Sequence, residues 1–375
     1  KHLKSVLLGT SALVCLALAA PVMADDFVIT SSDGSTNGVG TQNGATAAAI
    51  AANAINGSDT VSLGIALTTT GTNKGIVTTG GTNTVIVSET GSITTGTGQF
   101  AYGIDTAGDG NTITVSGSIK TTANDGYGIN NLGDNNTTTV SGSITTGGVD
   151  STGIWNRADN NTTTLTSTGV ITVNGAETDG IYNDGDNTIT IVHGSIFVNG
   201  HGAGADYTTG VDNRGGNTQT TLSKSSQIIT TGNRSVAVYA EENNNITNMH
   251  GYISVSGDWS DGISNWGNNN INNISGSISA TGTTNSNAIL VYSGSGNSFT
   301  LDEGAVIIGD ITALAAATNN KLKFNLGEGL SYAYSVGGGG AGTGAGQWTF
   351  TDQDGRTPIA TTTGASCPDS RVTVC

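Results

Sequence analysis

The stretch Gly117 to Ser141, GSIKTTANDGYGINNLGDNNTTTVS, decides the fold. Three landmarks in it recur along the chain. A Gly-Ser-Ile-like site stands at Gly91, Gly117, Gly142, Gly169, Gly194, Ser226, Gly251, Gly276 and Gly304. A Gly-Ile site stands at Gly75, Gly103, Gly128, Gly153, Gly180, Gly210, Ala237, Gly262 and Ala288. An Asn-centred turn opens a Thr-rich run near Asn83, Asn111, Asn136, Asn161, Asn187, Asn217, Asn245, Asn270 and Asn297. The first site advances by 26, 25, 27, 25, 32, 25, 25 and 28 residues. Sites that hold phase over so many repeats mark a solenoid, for which length does not convert into domain number.

Each repeat carries three short runs of β-type alternation, punctuated by Gly, Asn and Asp. In Asn111-Thr112-Ile113-Thr114-Val115, Ile113 and Val115 share one face and the threonines the other. One repeat cannot bury its apolar face alone. Repeats stacked strand on equivalent strand can, which predicts an all-β, right-handed parallel β-helix of about nine to ten coils. At a rung spacing of about 4.8 Å the rod would be on the order of 45 Å long. The repeats are expected over residues 60–309. Before them, residues 25–59 read as an N-terminal capping segment: an exposed start over Asp25 to Asn43, then a helix-prone run, Ala45 to Ile55. After them, residues 310–375 read as a C-terminal segment with one more strand near Gln347 to Phe350, a Gly-rich link over Gly337 to Gly346 and a loose tail.

Composition narrows the function. The chain has 58 Gly among 375 residues, about twice the usual ~7% share, and only 3 Pro. Lys and Arg total 12 against 28 Asp and Glu, a net charge of −16, which argues against nucleic acid and anionic lipid as partners. Residues 1–24 read as a signal peptide, with Lys1, His2 and Lys4, an apolar run from Val6 to Ala20, and Val22-Met23-Ala24 as the cleavage site. Removing them makes the remaining chain more acidic still. Cys367 and Cys375 would then be the remaining cysteines, either paired in an oxidising compartment or free in the tail.

The GSI-x-T-T-G, G-I-x-N and G-D-N-N-T strings, in an acidic, Cys-poor chain behind a signal peptide, resemble the passenger region of a bacterial autotransporter. The resemblance covers roughly residues 60 to 305, and Ile307 to Arg356 is similar to the stretch that joins such passengers to their membrane barrel. It implies a right-handed β-helix displayed on, or released from, the outer membrane of a Gram-negative cell. It also implies an outer-membrane β-barrel translocator, whose alternating ~10-residue strands are not found in this sequence.

Candidate sites are weighed against plain structural roles. Asp109, Asp134, Asp159 and Asp186 recur at one turn, where Ca²⁺ would relieve their repulsion but where Asp also suits the left-handed geometry of a solvated turn. Asn131, Asn156, Asn183, Asn213 and Asn265 share one place and read as an amide ladder. The pairs Thr112/Thr114, Thr137/Thr139, Thr162/Thr164, Thr188/Thr190 and Thr218/Thr220 read as an outward array, similar to ice-binding faces. Trp155, Tyr182 and Tyr239 fall at one outward position, with Trp259 and Trp266 nearby, and are read as exposed ligand-binding aromatics for a sugar ring or a partner. Gly200-His201-Gly202 resembles a string in some β-helical polysaccharide-degrading enzymes, and Asp206 and Asp212 lie near it, without the further acidic and basic motifs of that group. His193 and His250 stand two coils apart and have no metal-ligand spacing.

The expectation is thus a non-enzymatic binding or display structure, engaged in adhesion to a host-cell or cell-surface glycan or protein. No metal, cofactor or catalytic residue is implied. The alternatives are a polysaccharide lyase or hydrolase and an ice-binding protein. A column residue tests the fold: Ile129→Ala should cost about 2–5 kcal/mol in denaturant unfolding. An unchanged midpoint would place Ile129 outside the core.

Overall fold

A repeat that changes direction every few residues needs turns that tolerate left-handed backbone. Asn135, Asn160, Asn187, Asn217, Asn244 and Asn269 supply it, each with φ between 55 and 61°. The structure is a computed structural model that describes residues 26–29, 58–202, 207–314, 316–325, 336–337 and 348–352. Among these, every regular element is a β-strand. The strands wind through about ten turns into three parallel sheets of 13, 11 and 10 strands. In the opening repeat, Thr112–Val115 lies in sheet A, Ser118–Thr121 in sheet B and Ile129–Asn131 in sheet C.

Each strand inside a sheet pairs with its equivalents one coil before and one coil after. Thr137 lies between Thr112 and Thr162, Ile144 between Ile119 and Ile171, and Ile129 between Ile104 and Ile154. The inward side chains therefore form columns. Val115, Val140, Leu165, Val192, Leu222 and Met249 make one, and Ile119, Ile144, Ile171 and Ile196 another, all buried. Glycine at the sheet-C corner follows from this tight stacking, since a Cβ on Gly128 would lie 2.5 Å from the Gly153 carbonyl oxygen and 2.4 Å from Ile144 Cγ2.

A polar ladder runs inside the rod beside the apolar columns. Asn131 Nδ2 donates to Asn156 Oδ1 at 2.8 Å, Asn156 to Asn183 at 2.7 Å and Asn183 to Asn213 at 2.8 Å. The second hydrogen of each amide goes to an inward threonine of the following sheet-A strand: Thr138 at 3.2 Å, then Thr163, Thr190 and Thr220, each at 3.0 Å. Ala240 stands where the next asparagine would be, so Asn265 is cut off and neither end of its amide has a partner.

That ladder corrects two expectations. Thr190 and Thr220 are buried because Asn183 and Asn213 need them as acceptors, and Thr188 and Thr218 are buried with them. The outward residues of those strands are Ile189 and Ile191, then Gln219 and Thr221, so the outward threonine pairs span only three coils. The cause is a one-residue slip in the reading of the third turn. Asn187 and Asn217 align with Asn160 rather than Asn161, and Thr188 and Thr218 take the buried position.

The ends also differ from expectation. Asp26–Ile29 is a strand on Thr60–Leu63, and Ile29 is buried, so the start is not wholly exposed. Beyond residue 309 the stack continues through Asp310–Ala313 and Asn320–Asn325, and the strand expected near Gln347 to Phe350 is present as Trp348–Asp352. The signal segment, Ala45 to Ile55, most of the Gly-rich link, Cys367 and Cys375 lie outside the described residues.

The ladder makes a checkable contrast. Asn156→Ala strands Asn131 and Asn183, at about 1–3 kcal/mol for each buried group left without a partner. Asn265→Ala removes an amide that has none, and should cost at least ~1 kcal/mol less by the same reasoning. Equal losses in urea unfolding would show that the ladder does not stabilise the rod.

Candidate functional site

Sheet C is the face where the repeat is least regular. Its strands vary from two to six residues, and their outward side chains change from coil to coil: Asn130, Trp155, Tyr182, Asp212 and Tyr239 stand in register at one position. Two residues before the column isoleucine, at the head of the same strands, stand Tyr102 and Tyr127. Just past the strand ends stand Trp266 and Tyr292. Together these rings form a trail that crosses the face obliquely.

The rings touch one another. Tyr102 stacks on Tyr127 at 4.8 Å, Tyr127 meets Trp155 edge-on at 4.8 Å, and Trp155 meets Tyr182 at 5.0 Å. After one coil without a ring, Tyr239 meets Trp266 at 5.9 Å and Trp266 stacks on Tyr292 at 3.8 Å. Such offset and edge contacts suit the ring quadrupole and hold the side chains in fixed poses.

The expected ligand-binding aromatics are therefore only partly as read. Trp155, Tyr182, Tyr239 and Trp266 do belong to one feature. They are not freely exposed: Tyr239 is 8% accessible and the other three are half-buried, because each ring covers its neighbour. Trp259 is 49% exposed, but it sits at a left-handed turn with φ 59°, over Arg234 rather than against the trail. Tyr102, Tyr127 and Tyr292 were missed. The Tyr-Gly-Ile strings at Tyr102 and Tyr127 carried the signal, at a fixed offset before the column residue.

Cations lie on the trail. Arg157 stacks 3.6 Å from the Trp155 ring, Arg214 lies 5.1 Å from Tyr182, and Lys74 Nζ lies 4.7 Å from Tyr102 while pairing with Asp105. Arg214 also pairs with Asp212 at 3.2 Å and Glu241 at 3.4 Å, in the coil that adds no ring to the trail. Burial raises the phenols of Tyr127 and Tyr182, so both stay neutral donors.

Beside the first half of the trail is an open cleft of about 370 Å³. It is lined by the rings of Tyr127, Trp155, Tyr182 and Tyr207, by the carboxyls of Asp125, Asp150, Glu177 and Asp179, and by Arg214. Tyr207 comes from the longest insertion, where His201 is exposed on a loop and Asp206 lies outside the described residues. Asp179 and Asp212 are buried carboxyls, both raised by burial, and they repel one another. Several polar atoms on this face have no partner: Asn130 Oδ1, Trp155 Nε1, Arg157 Nε and Asp212 Oδ1.

The other candidate sites resolve into structure. Asp109 Oδ1 accepts the backbone N–H of Asp134 at 2.9 Å, and the pattern repeats from Asp134 to Asp159, Asp159 to Asp186 and Asp186 to Gly216. Each carboxylate of the turn ladder thus caps the next coil's amide, which offsets the stacked charge. His250 Nδ1 lies 2.7 Å from Ser275 Oγ. Among the described residues, no group of three or more His, Cys, Asp or Glu is arranged to hold a metal ion.

Asp261, on the same face, gives a pH test. It is 3% exposed, and burial lifts its carboxyl to about 7 despite hydrogen bonds from Asn287. With an unfolded value near 3.9, the folded state holds the proton between about pH 4 and 7, so stability falls as pH rises through that window. Asp261→Asn keeps an acceptor for Asn287. It should be more stable than the parent at about pH 8, by up to ~4 kcal/mol, and nearly equal at about pH 4. A parent-minus-variant difference that is flat with pH would contradict the assignment.

No family model, curated protein or solved structure matches this chain.

Proposed function

We propose that this protein is an exported surface β-helix that binds an extended glycan along sheet C, in adhesion to a cell surface. The single observation that carries the reading is the seven-ring trail. Rings held at coil spacing offer successive stacking positions to a polymer, and the unpartnered polar atoms beside them offer hydrogen bonds. The remainder of the rod is stacking and turn chemistry, which suits a scaffold that presents one face.

The setting of the reading is export to the surface of a Gram-negative outer membrane, or release from it, through a β-barrel translocator. It draws on the signal-like segment, the acidic and Cys-poor composition and the passenger-like repeats. A host-cell protein in place of the glycan would use the same face. A second reading is hydrolysis of the bound polymer, which draws on the buried carboxyls Asp179, which lines the cleft, and Asp212, which repels it.

Immobilised acidic and neutral glycans decide among these. Binding should be lost about tenfold or more in a Trp155→Ala, Trp266→Ala double variant of unaltered unfolding midpoint, and retained in Trp259→Ala. Unchanged affinity in the double variant would refute the sheet-C site. New reducing ends in the incubated polymer would replace adhesion by turnover.

A further inference from the structure

The residues that follow the sheet-C strands stack in a row of their own. Arg157, Asp184, Arg214 and Glu241 each donate a backbone N–H to the last strand residue of the coil before, at Asn131, Asn156, Asn183 and Asn213. Charge alternates along this row: cation, carboxylate, cation, carboxylate. The second pair is formed. Arg214 Nε lies 3.4 Å from Glu241, one coil on, and its guanidinium stands 5.1 Å from the Tyr182 ring.

The first pair is not formed. Arg157 turns away from Asp184 and lies back over the trail, 3.6 Å from the Trp155 ring and 5.6 Å from that of Tyr127. Its charge reaches one coil further: burial raises the Tyr102 phenol, and Arg157 is the group that most opposes the rise. Tyr127 and Tyr182 meet Trp155 edge-on, and the guanidinium lies over its ring. In this pose Arg157 Nε is buried without a partner. Asp184 is exposed, and among the described residues neither side chain is in an ion pair.

From equivalent places on the backbone, then, one arginine leans to the carboxylate of the next coil and the other to the rings. An exposed ion pair and an exposed cation–π contact contribute similar amounts, so the two poses lie close in energy. We infer that Arg157 gates the Trp155 stacking position: over the ring it covers the face a sugar would use, and turned one coil onward to Asp184 it uncovers that face. The inference rests on the glycan reading of the trail and adds a moving part to it. A sugar that stacks on Trp155 takes over the face the guanidinium held, and the Asp184 carboxylate receives the displaced charge.

Residue-resolved oxidative labelling of the protein without glycan tests the gate, in variants of unaltered unfolding midpoint. Arg157→Ala should raise labelling of Trp155 about threefold or more and leave Trp266 as it was. Asp184→Asn removes the resting place of the open pose and should lower Trp155 labelling. On the immobilised glycans Arg157→Ala should bind about three- to tenfold tighter than the parent, and Asp184→Asn more weakly. Unchanged Trp155 labelling in Arg157→Ala overturns the gate, and unchanged or raised labelling in Asp184→Asn overturns the movement on which it depends. Weaker glycan binding by Arg157→Ala makes the guanidinium a ligand contact and overturns the gate as well. Labelling that shifts as expected, in a protein that holds none of the glycans, supports the movement and overturns the glycan reading alone.

Discussion

Each coil of this protein is completed by the coil beside it, and the rest of the structure depends on that constraint. Parallel pairing at a fixed register gives every strand its hydrogen bonds and aligns Ile on Ile in the core. It also fixes where polar groups can be buried. The amides of Asn131, Asn156, Asn183 and Asn213 are tolerated inside because each finds its donor or acceptor one coil away, and a threonine beside it. Register specificity follows, since a slip by one residue would turn these groups outward and the solvent-facing threonines inward.

The same constraint explains how so acidic a chain can stack. Asp109, Asp134, Asp159 and Asp186 recur at one coil position, an arrangement that simple repulsion disfavours. Each carboxylate spends one oxygen on the backbone N–H of the following coil, so the charge is set against an amide dipole. Toward the C-terminal coils Asn243 and Asn268 make the same contact without charge. Acidity in these turns is therefore structural.

Much of the fold was legible because stacking imposes period on sequence: the Gly-Ser-Ile and Gly-Ile sites map onto sheets B and C, and the expected asparagine ladder is present over four coils. What was lost depended on single-residue phase. In Gly185-Asp186-Asn187-Thr188 the threonine fills the place that a second asparagine fills elsewhere, which the left-handed Asn187, the burial of Thr188 and the Asn183 partner of Thr190 reveal. The capping strand Asp26–Ile29 was obscured by the long segment between it and its partner. The candidate site was half legible. Trp155, Tyr182, Tyr239 and Trp266 were read from one column and its vicinity, but an oblique trail draws on three columns, and Tyr102, Tyr127 and Tyr292 lie in the other two. Exposure could not be judged from alternation, because the covering groups are neighbouring rings.

The central claim is that sheet C, alone among the three faces, is the recognition surface. Oxidative footprinting of Tyr and Trp, with and without the bound glycan, tests it most directly. Protection should appear at Trp155, Tyr182, Trp266 and Tyr292, while Tyr252 on sheet B and Trp259 at its turn remain as reactive as before. Protection confined to Tyr252 and Trp259, with the trail unchanged, would contradict the account.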